Sequence, residues 1–265
     1  MHSQALQHSL SNSHIQTEDS QSVSIIIPCF NESEGIEPLK IKLLPVLEKL
    51  RLLGSVELIF VDDGSTDDTV LRLQLCFGQL AQIVRHQSNR GIWAAILTGL
   101  AHSTGKIVCT IDSDCTYDPL ELVNLLDLIS ADVHIVTGSP YHPKGTVRNV
   151  PAWRLVLSKG LSQIYRLVLP RKLYTYTSIF RAYRREILET VPTTSPGFLG
   201  LVEILVEAIL RRYKVVEYPT QLSSRVFGQS KLRVVRVILS HFKYISKLIF
   251  RRLLRQKQLR LMLHN

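Results

Sequence analysis

Between Val23 and Ser139 the chain alternates short β-branched runs with segments of helical period, and this constrains the fold more than any other feature. VSIIIPCF (23–30), VELIFV (56–61), AQIVRH (81–86), KIVCTI (106–111) and DVHIVTGS (132–139) are short, apolar and mostly rich in Val and Ile, so they are expected as strands. Between them, Leu39, Leu43, Leu47 and Leu50 recur at helical spacing up to Gly54. Ser65 with Asp68 three residues on resembles a capping box for a helix running to about Phe77. Asn89 is placed to cap GIWAAILTGLAHS, which Gly105 closes, and Pro119 opens PLELVNLLDLI. Alternation at this spacing predicts a mostly parallel sheet covered by helices on both faces. In such sheets ligands sit beyond the carboxyl ends of the strands. Those ends carry PCFNE, VDDGS, DSDCT and TGSPY, four polar segments converging on one crevice.

The second half is less regular. WRLVLSKGLSQIYRLVL is expected as a helix, YTYTSIFRAY alternates like a strand, GFLGLVEILVEAILRR is a strongly apolar helix, and KVVEYPTQLSSR supplies one or two further strands. Together they are expected to form one side of the cleft rather than a separate domain. Hydrophobic residues make up 45% of the 265, enough for a sizeable core and incompatible with wholesale disorder. Residues 1–22, Ser/Gln/His-rich with neither an apolar stretch nor Arg, fit no secretory signal or usual transit peptide and read as a disordered leader. Cys29, Cys76, Cys109 and Cys115 show no C-x-x-C or zinc spacing, which implies reduced thiols and a cytoplasmic setting.

The formal charge of +10 calls for an anionic partner: nucleic acid, a phosphorylated substrate or a membrane surface. Much of it sits at the end of the chain, since no acidic residue follows Glu217. On a helical wheel Val235, Ile238, Phe242, Ile245, Ile249 and Leu253 share a face, with Arg236, Lys243, Lys247, Arg251 and Arg255 roughly opposite. This reads as a basic amphipathic helix over 233–265, lying on an anionic membrane or docked on the core or a second subunit. No apolar run reaches the length of about eighteen residues that spanning a bilayer requires. No helix-turn-helix, zinc or aromatic RNP signature accompanies the charge, so nucleic acid is not expected as the partner.

The chemistry concentrates on aspartates. Asp112 and Asp114, two apart in an extended segment, project to one side. They either share a divalent cation, divide a metal and a sugar hydroxyl between them, or are solvated turn residues; oxygen donors suit Mg2+ or Mn2+. Of Asp62 and Asp63, one is expected to cap a turn or the next helix, leaving the other to accept from a base N–H or a ribose hydroxyl. Neither G-x-G-x-x-G nor a P-loop is present. Trp93 and Trp153 read as packing residues, and Arg181 as either a structural ion pair or a ligand.

IIIPCFNE, VDDGSTDDT, NRGIWAAILTGLAHSTG, TIDSDCTYDP and VTGSPY, in this order and spacing, resemble family 2 glycosyltransferases of the GT-A (nucleotide-diphospho-sugar transferase) fold. SIFRAYRREIL and SRVFGQSKL extend the resemblance toward dolichol-phosphate mannose synthase and related polyprenyl-phosphate glycosyltransferases, so that it covers 23–232. It implies an α/β transferase of hexosyltransferase type with a GDP- or UDP-sugar donor, Mg2+ or Mn2+, inversion at the anomeric carbon, and a polyprenyl-phosphate acceptor at the cytosolic face of a membrane. Pro28, Asn31 and Glu32 match the segment lining the nucleoside pocket, Asp62 and Asp63 the base- and ribose-binding turn, and Asp112 and Asp114 the D-x-D metal motif. Arg225 matches the arginine near the diphosphate or phosphate acceptor, with Ser230 and Lys231 in the same motif. Arg154 and Ser158 match positions facing the acceptor phosphate.

Pro140 departs from the pattern by standing where that branch often has arginine, and Thr116 and Tyr117 replace the usual Gln/Ser-His. An ionised lipid phosphate needs no strong base, whereas a hydroxyl acceptor would, and Glu203 is then the candidate; a plain helix-face carboxylate is its other reading. The competing class is a non-catalytic basic binding module on a degenerate GT-A fold. Homo-oligomerisation is left open.

Overall fold

The computed structural model describes residues 22–225 and the helix Val234–Met262, the side chains of the latter from 235 to 254. Residues 1–21 of the expected leader, Ser230 and Lys231, and the 232/233 boundary all lie outside the described residues. In chain order the elements are β1 (Val23–Cys29), α1 (Ile36–Arg51), β2 (Val56–Asp62), α2 (Thr69–Phe77), β3 (Gln82–Arg85), α3 (Ile92–Ala101), β4 (Ile107–Thr110), α4 (Leu122–Asp127), β5 (Ile135–Ser139), β6 (Thr146–Arg148), α5 (Ala152–Val168), β7 (Arg181–Arg184), α6 (Arg185–Thr190), α7 (Phe198–Leu210), β8 (Val215–Pro219), β9 (Gln221–Ser223) and α8 (Val234–Met262).

The main sheet runs β3-β2-β1-β4-β7-β5-β8 and is parallel except for β7, which pairs antiparallel with β4 and β5. A small parallel pair, β6 with β9, stands apart from it. Strand order reverses between β1 and β4, which opens the crevice that a parallel sheet offers to ligands. β1 is buried along its whole length because both faces are covered. Ile25 and Ile27 pack with Leu39, Leu43 and Leu47 of α1 and Leu73 of α2 on one side. Ile26 packs on the other with Trp93 of α3 and Leu205 of α7, a layer that reaches Tyr165 of α5 and Tyr244 and Leu248 of α8. Each such aliphatic side chain contributes about 1.5–3 kcal/mol over leaving it in water.

Four local expectations are corrected. Ser65 and Asp68 form no capping box: Asp67 accepts from the Thr69 backbone N–H, at 3.0 Å, while the Ser65 hydroxyl accepts from Asn31 N–H. Asn89 does not cap α3; Gly91 precedes the helix at φ 102, where a Cβ would lie 2.8 Å from the Pro196 carbonyl oxygen. Only the last three residues of YTYTSIFRAY, within β7 (Arg181–Arg184), pair as a strand. Trp93 is buried and donates to Thr193 Oγ1, whereas Trp153 is half exposed, not packed. Arg181 is a buried structural peg, donating from Nη2 to the Tyr176 carbonyl at 2.7 Å and from Nε to Thr137 Oγ1 at 3.1 Å.

α8 docks on α5 and α7 through His241, Tyr244, Ile245 and Leu248. Ile245 therefore belongs to the core and not to a free apolar face. Val235, Leu239, Phe242, Phe250 and Leu253 of the same helix are exposed.

Candidate active site

The site grows from the carboxyl ends of β1, β2 and β4. After β1 the chain turns through Asn31 at φ 54, a left-handed conformation that Asn tolerates better than most residues. Asn31 Oδ1 accepts from Thr66 N–H at 2.8 Å, and Glu32 N–H donates to Thr69 Oγ1 at 2.8 Å, so the loops after β1 and β2 are laced together. Pro28 lies inside β1, paired with Val61.

Asp62 and Asp63, at the end of β2, hold the surrounding backbone. Asp62 is fully buried, accepts from Ser65 N–H and pairs with Arg85 Nε at 3.3 Å. Asp63 accepts from Arg90 and Gly91 N–H, each at 2.8 Å, and pairs with His86 Nδ1 at 2.7 Å. The cap expected of one aspartate is thus shared: Asp62 closes its own turn, and Asp63 anchors the entry to α3. Gly64, at φ 79, lets this turn sit against residues 88–89; a Cβ there would fall 2.6 Å from the Ser88 carbonyl carbon.

Beyond β4, Asp112 and Asp114 both line a cavity of about 640 Å3. Asp114 Oδ1 accepts from Thr116 N–H at 3.0 Å, and its Oδ2 pairs with Arg225 Nε at 2.6 Å. The same guanidinium reaches Glu32 Oε1 through Nη1 at 2.7 Å. One cation therefore gathers the ends of β1, β4 and β9. Burial pushes the Asp112 carboxyl well above the usual carboxylate range; Asp114 and Glu32 push the same way, and Arg225 opposes them. Burial works against the Arg225 charge, but Asp114, Glu32 and Asp112 outweigh it and hold the guanidinium above its ordinary pKa. The loop carrying Asp112 and Asp114 is fixed from both sides. Ser223 N–H donates to Thr116 O at 2.9 Å, and Tyr117 stacks on Phe180 at 5.2 Å while accepting from Ser178 Oγ.

From these charges the cavity runs between α5 and α8. Its walls are apolar: Val156, Leu157, Leu161 and Ile164 of α5, Phe198 of α7, and Val237, Ile238 and Phe242 of α8. Arg154 and Ser158 also line it, Arg154 beside the Trp153 ring and Ser158 bonded to Thr177 Oγ1 at 2.8 Å. The apolar wall and Thr177 were missed in the sequence. The α5 spacing of Val156, Leu157, Leu161 and Ile164 is visible there, but not that α8 would face it.

Glu203 is corrected. Its Oε2 accepts from Thr194 N–H at 2.7 Å and Ser195 N–H at 2.9 Å, and its Oε1 from both hydroxyls. The carboxylate is buried, secures the loop before α7 and does not line the cavity. It is a structural acceptor, not a base.

A doubly covered, mostly parallel sheet with carboxylates at the switch-point strand ends defines a GT-A α/β fold. Glucosyl-3-phosphoglycerate synthase from Mycobacterium tuberculosis, solved with Mn2+, UDP and glucosyl-3-phosphoglycerate, shares it at a TM-score of 0.63 and 22% identity over 88% of this chain and 80% of that one. The model of glycosyl transferase family 2 matches residues 24–191, and the chain belongs to that family. It is 32% identical to the dolichol-phosphate mannosyltransferase of Pyrococcus furiosus over 86% of its own length and 63% of that protein. It is 33% identical to the polyprenol monophosphomannose synthase of Mycolicibacterium smegmatis over 80% and 81% respectively. The chain thus spans a little under two thirds of the first relative and about four fifths of the second.

Proposed function

We propose that the chain is a metal-dependent, inverting glycosyltransferase that moves a hexose from a GDP- or UDP-sugar to a polyprenyl phosphate at a membrane surface. The observation that carries this reading is the cavity itself, which joins Asp112, Asp114 and Arg225 at one end to apolar walls of α5 and α8. A charged phosphate on an apolar chain has both chemistries. The two relatives named for dolichol and polyprenol substrates support the same acceptor class.

The residues present fit a divalent cation. Two carboxylates converge where a guanidinium already stands in for positive charge, and oxygen donors suit Mg2+ or Mn2+. Among the described residues no group of three or more His, Cys, Asp or Glu side chains forms a metal cage, so a cation held by Asp112 and Asp114 would keep positions open to nucleotide or water. When bound, the metal neutralises the charge that grows on the leaving diphosphate. Asp112 and Asp114 would hold it, Glu32 and Asn31 shape the nucleoside side, and Arg225 supplies fixed positive charge. Arg154 and Ser158, with Ser230 and Lys231 beyond the described residues, would take the acceptor phosphate.

A hydroxyl acceptor is disfavoured because it needs a base. Among the described residues the carboxylates lining the cavity are Asp112 and Asp114, Glu203 is engaged elsewhere, and the His241 imidazole that also lines it is bonded to the Tyr165 hydroxyl at 3.0 Å. A purely binding role is disfavoured because the crevice carboxylates are intact. α8 provides the membrane contact, with Leu239, Phe242, Phe250 and Leu253 exposed beside Lys243 and Lys247. Among the described residues no helix is long and apolar enough to cross a bilayer.

The test is sugar transfer with Mn2+ from GDP- and UDP-sugars to polyprenyl phosphate, compared with the free alcohol and a soluble saccharide. Product on the phosphate alone supports the reading; product only on hydroxyl acceptors overturns the acceptor assignment.

A further inference from the structure

Asp114, a carboxylate that the proposed function assigns to a metal, is already engaged on both oxygens: Oδ1 accepts from Thr116 N–H and Oδ2 pairs with Arg225 Nε. Glu32 shares the same guanidinium. A second cation placed on Asp114 Oδ2 would meet the guanidinium at contact distance, where like charges in a partly buried site repel strongly. Metal and Arg225 therefore compete for one oxygen.

We infer that Arg225 is an exchangeable counter-cation. It neutralises Asp114 and Glu32 while metal and nucleotide are absent, and it leaves Asp114 when they bind. The freed guanidinium then has a new anion available, the diphosphate of the bound nucleotide. Arg225 thus weakens binding of the bare ion and strengthens binding of the ion with its nucleotide, which makes the two ligands cooperative. Its position favours such a change: Arg225 lies two residues beyond the end of β9 and is one quarter exposed, whereas Asp114 is held at the cavity wall. The inference rests on the reading of Asp112 and Asp114 as the metal-binding pair.

The experiment is a Mn2+ titration of the full chain, following the spin-resonance signal of free aqueous Mn2+, with and without UDP or GDP. R225Q is expected to bind Mn2+ about fivefold to tenfold more tightly than the unsubstituted chain without nucleotide. With nucleotide, its affinity should rise by a smaller factor than that of the unsubstituted chain. R225K, which keeps the charge, should fall between the two. The expected result is a gain of binding, which a damaged fold does not produce, and R225A provides an independent second measurement of it. Mn2+ binding in R225Q and R225A no tighter than in the unsubstituted chain overturns the exchange, as does an equal enhancement by nucleotide in all of them. D114N separates this failure from that of the underlying reading. If D114N loses Mn2+ while R225Q gains none, only the exchange is wrong; if D114N binds Mn2+ like the unsubstituted chain, the metal site itself is misplaced.

Discussion

The strand-end crevice and the polar layer beneath α7 and α8 both contain ionisable side chains with little solvent, yet they satisfy them in opposite ways. Beneath the helices Glu203 and His241 have fixed neutral partners: Glu203 is bound by Thr194 and Ser195, and His241 by Tyr165 at 3.0 Å. In the crevice Asp114 and Glu32 pair with the Arg225 guanidinium beside Asp112, at the wall of a cavity. A carboxylate saturated by neutral backbone donors is a structural tie. One balanced by a partly exposed cation beside open volume is able to change partners. Burial alone separates neither kind, as Glu203 and Glu32 show by both being buried.

The sharpest way to break this contrast is to remove one carboxylate from each region. D114A should lower transfer by about 10²–10³-fold, the scale seen when a single transition-state electrostatic contact is lost, with little change in melting temperature. A steady-state transfer assay beside a melt checks both halves. E203A should do the reverse. It strands two backbone N–H groups and two hydroxyls and should cost about 2–4 kcal/mol, read as a lower urea midpoint at unchanged slope. The transfer rate per folded molecule should be unchanged, and a collapse of rate in folded E203A would return it to the catalytic set.

A smaller effect distinguishes the layer by pH. Burial lowers the His241 pKa from 6.5 to about 4, with Glu203 pulling weakly the other way. The unfolded chain takes up this proton first, so stability is intact above about pH 6.5 and is lost as pH falls toward 4. At pH 5 the loss is about 2 kcal/mol, which H241Q should not show; denaturation curves at pH 7.5 and 5 measure the difference. The smallest effect lies on the outer face of α8. Each of Lys243 and Lys247 should contribute about 1 kcal/mol to binding anionic vesicles, and the K243Q/K247Q pair should weaken sedimentation with phosphatidylserine vesicles without altering the soluble metal site. Equal binding of both forms would remove α8 cations from the membrane contact.

The crevice was legible in the sequence because its parts are local. β1, β2 and β4 are mostly apolar runs, Asp62 ends β2 with Asp63 next to it, and Asp112 and Asp114 lie within four residues of the end of β4. What was misread depended on partners far away in the chain. Asn89 has the residue type of a cap, but the Gly91 N–H within reach of such a cap donates to Asp63 at the end of β2, as does the Arg90 N–H. Glu203 sits on a helix that looked able to present it to a cleft, yet the loop before that helix folds back onto it. The alternation of YTYTSIFRAY suggests a long strand, but only its last residues meet β4 and β5. The apolar wall of the cavity was invisible for the same reason, since neither α5 nor α8 reveals alone that it faces the other.

On the proposed function, carboxylates from separate strand ends form one nucleotide site that requires a cation. The most direct measurement is the melting temperature of the full chain with UDP and GDP, each with and without Mn2+, in the unsubstituted protein and in D114N. One of the nucleotides should raise it only when Mn2+ is present, and D114N should abolish the rise. Equal stabilisation without metal, or a rise that survives in D114N, would contradict the account.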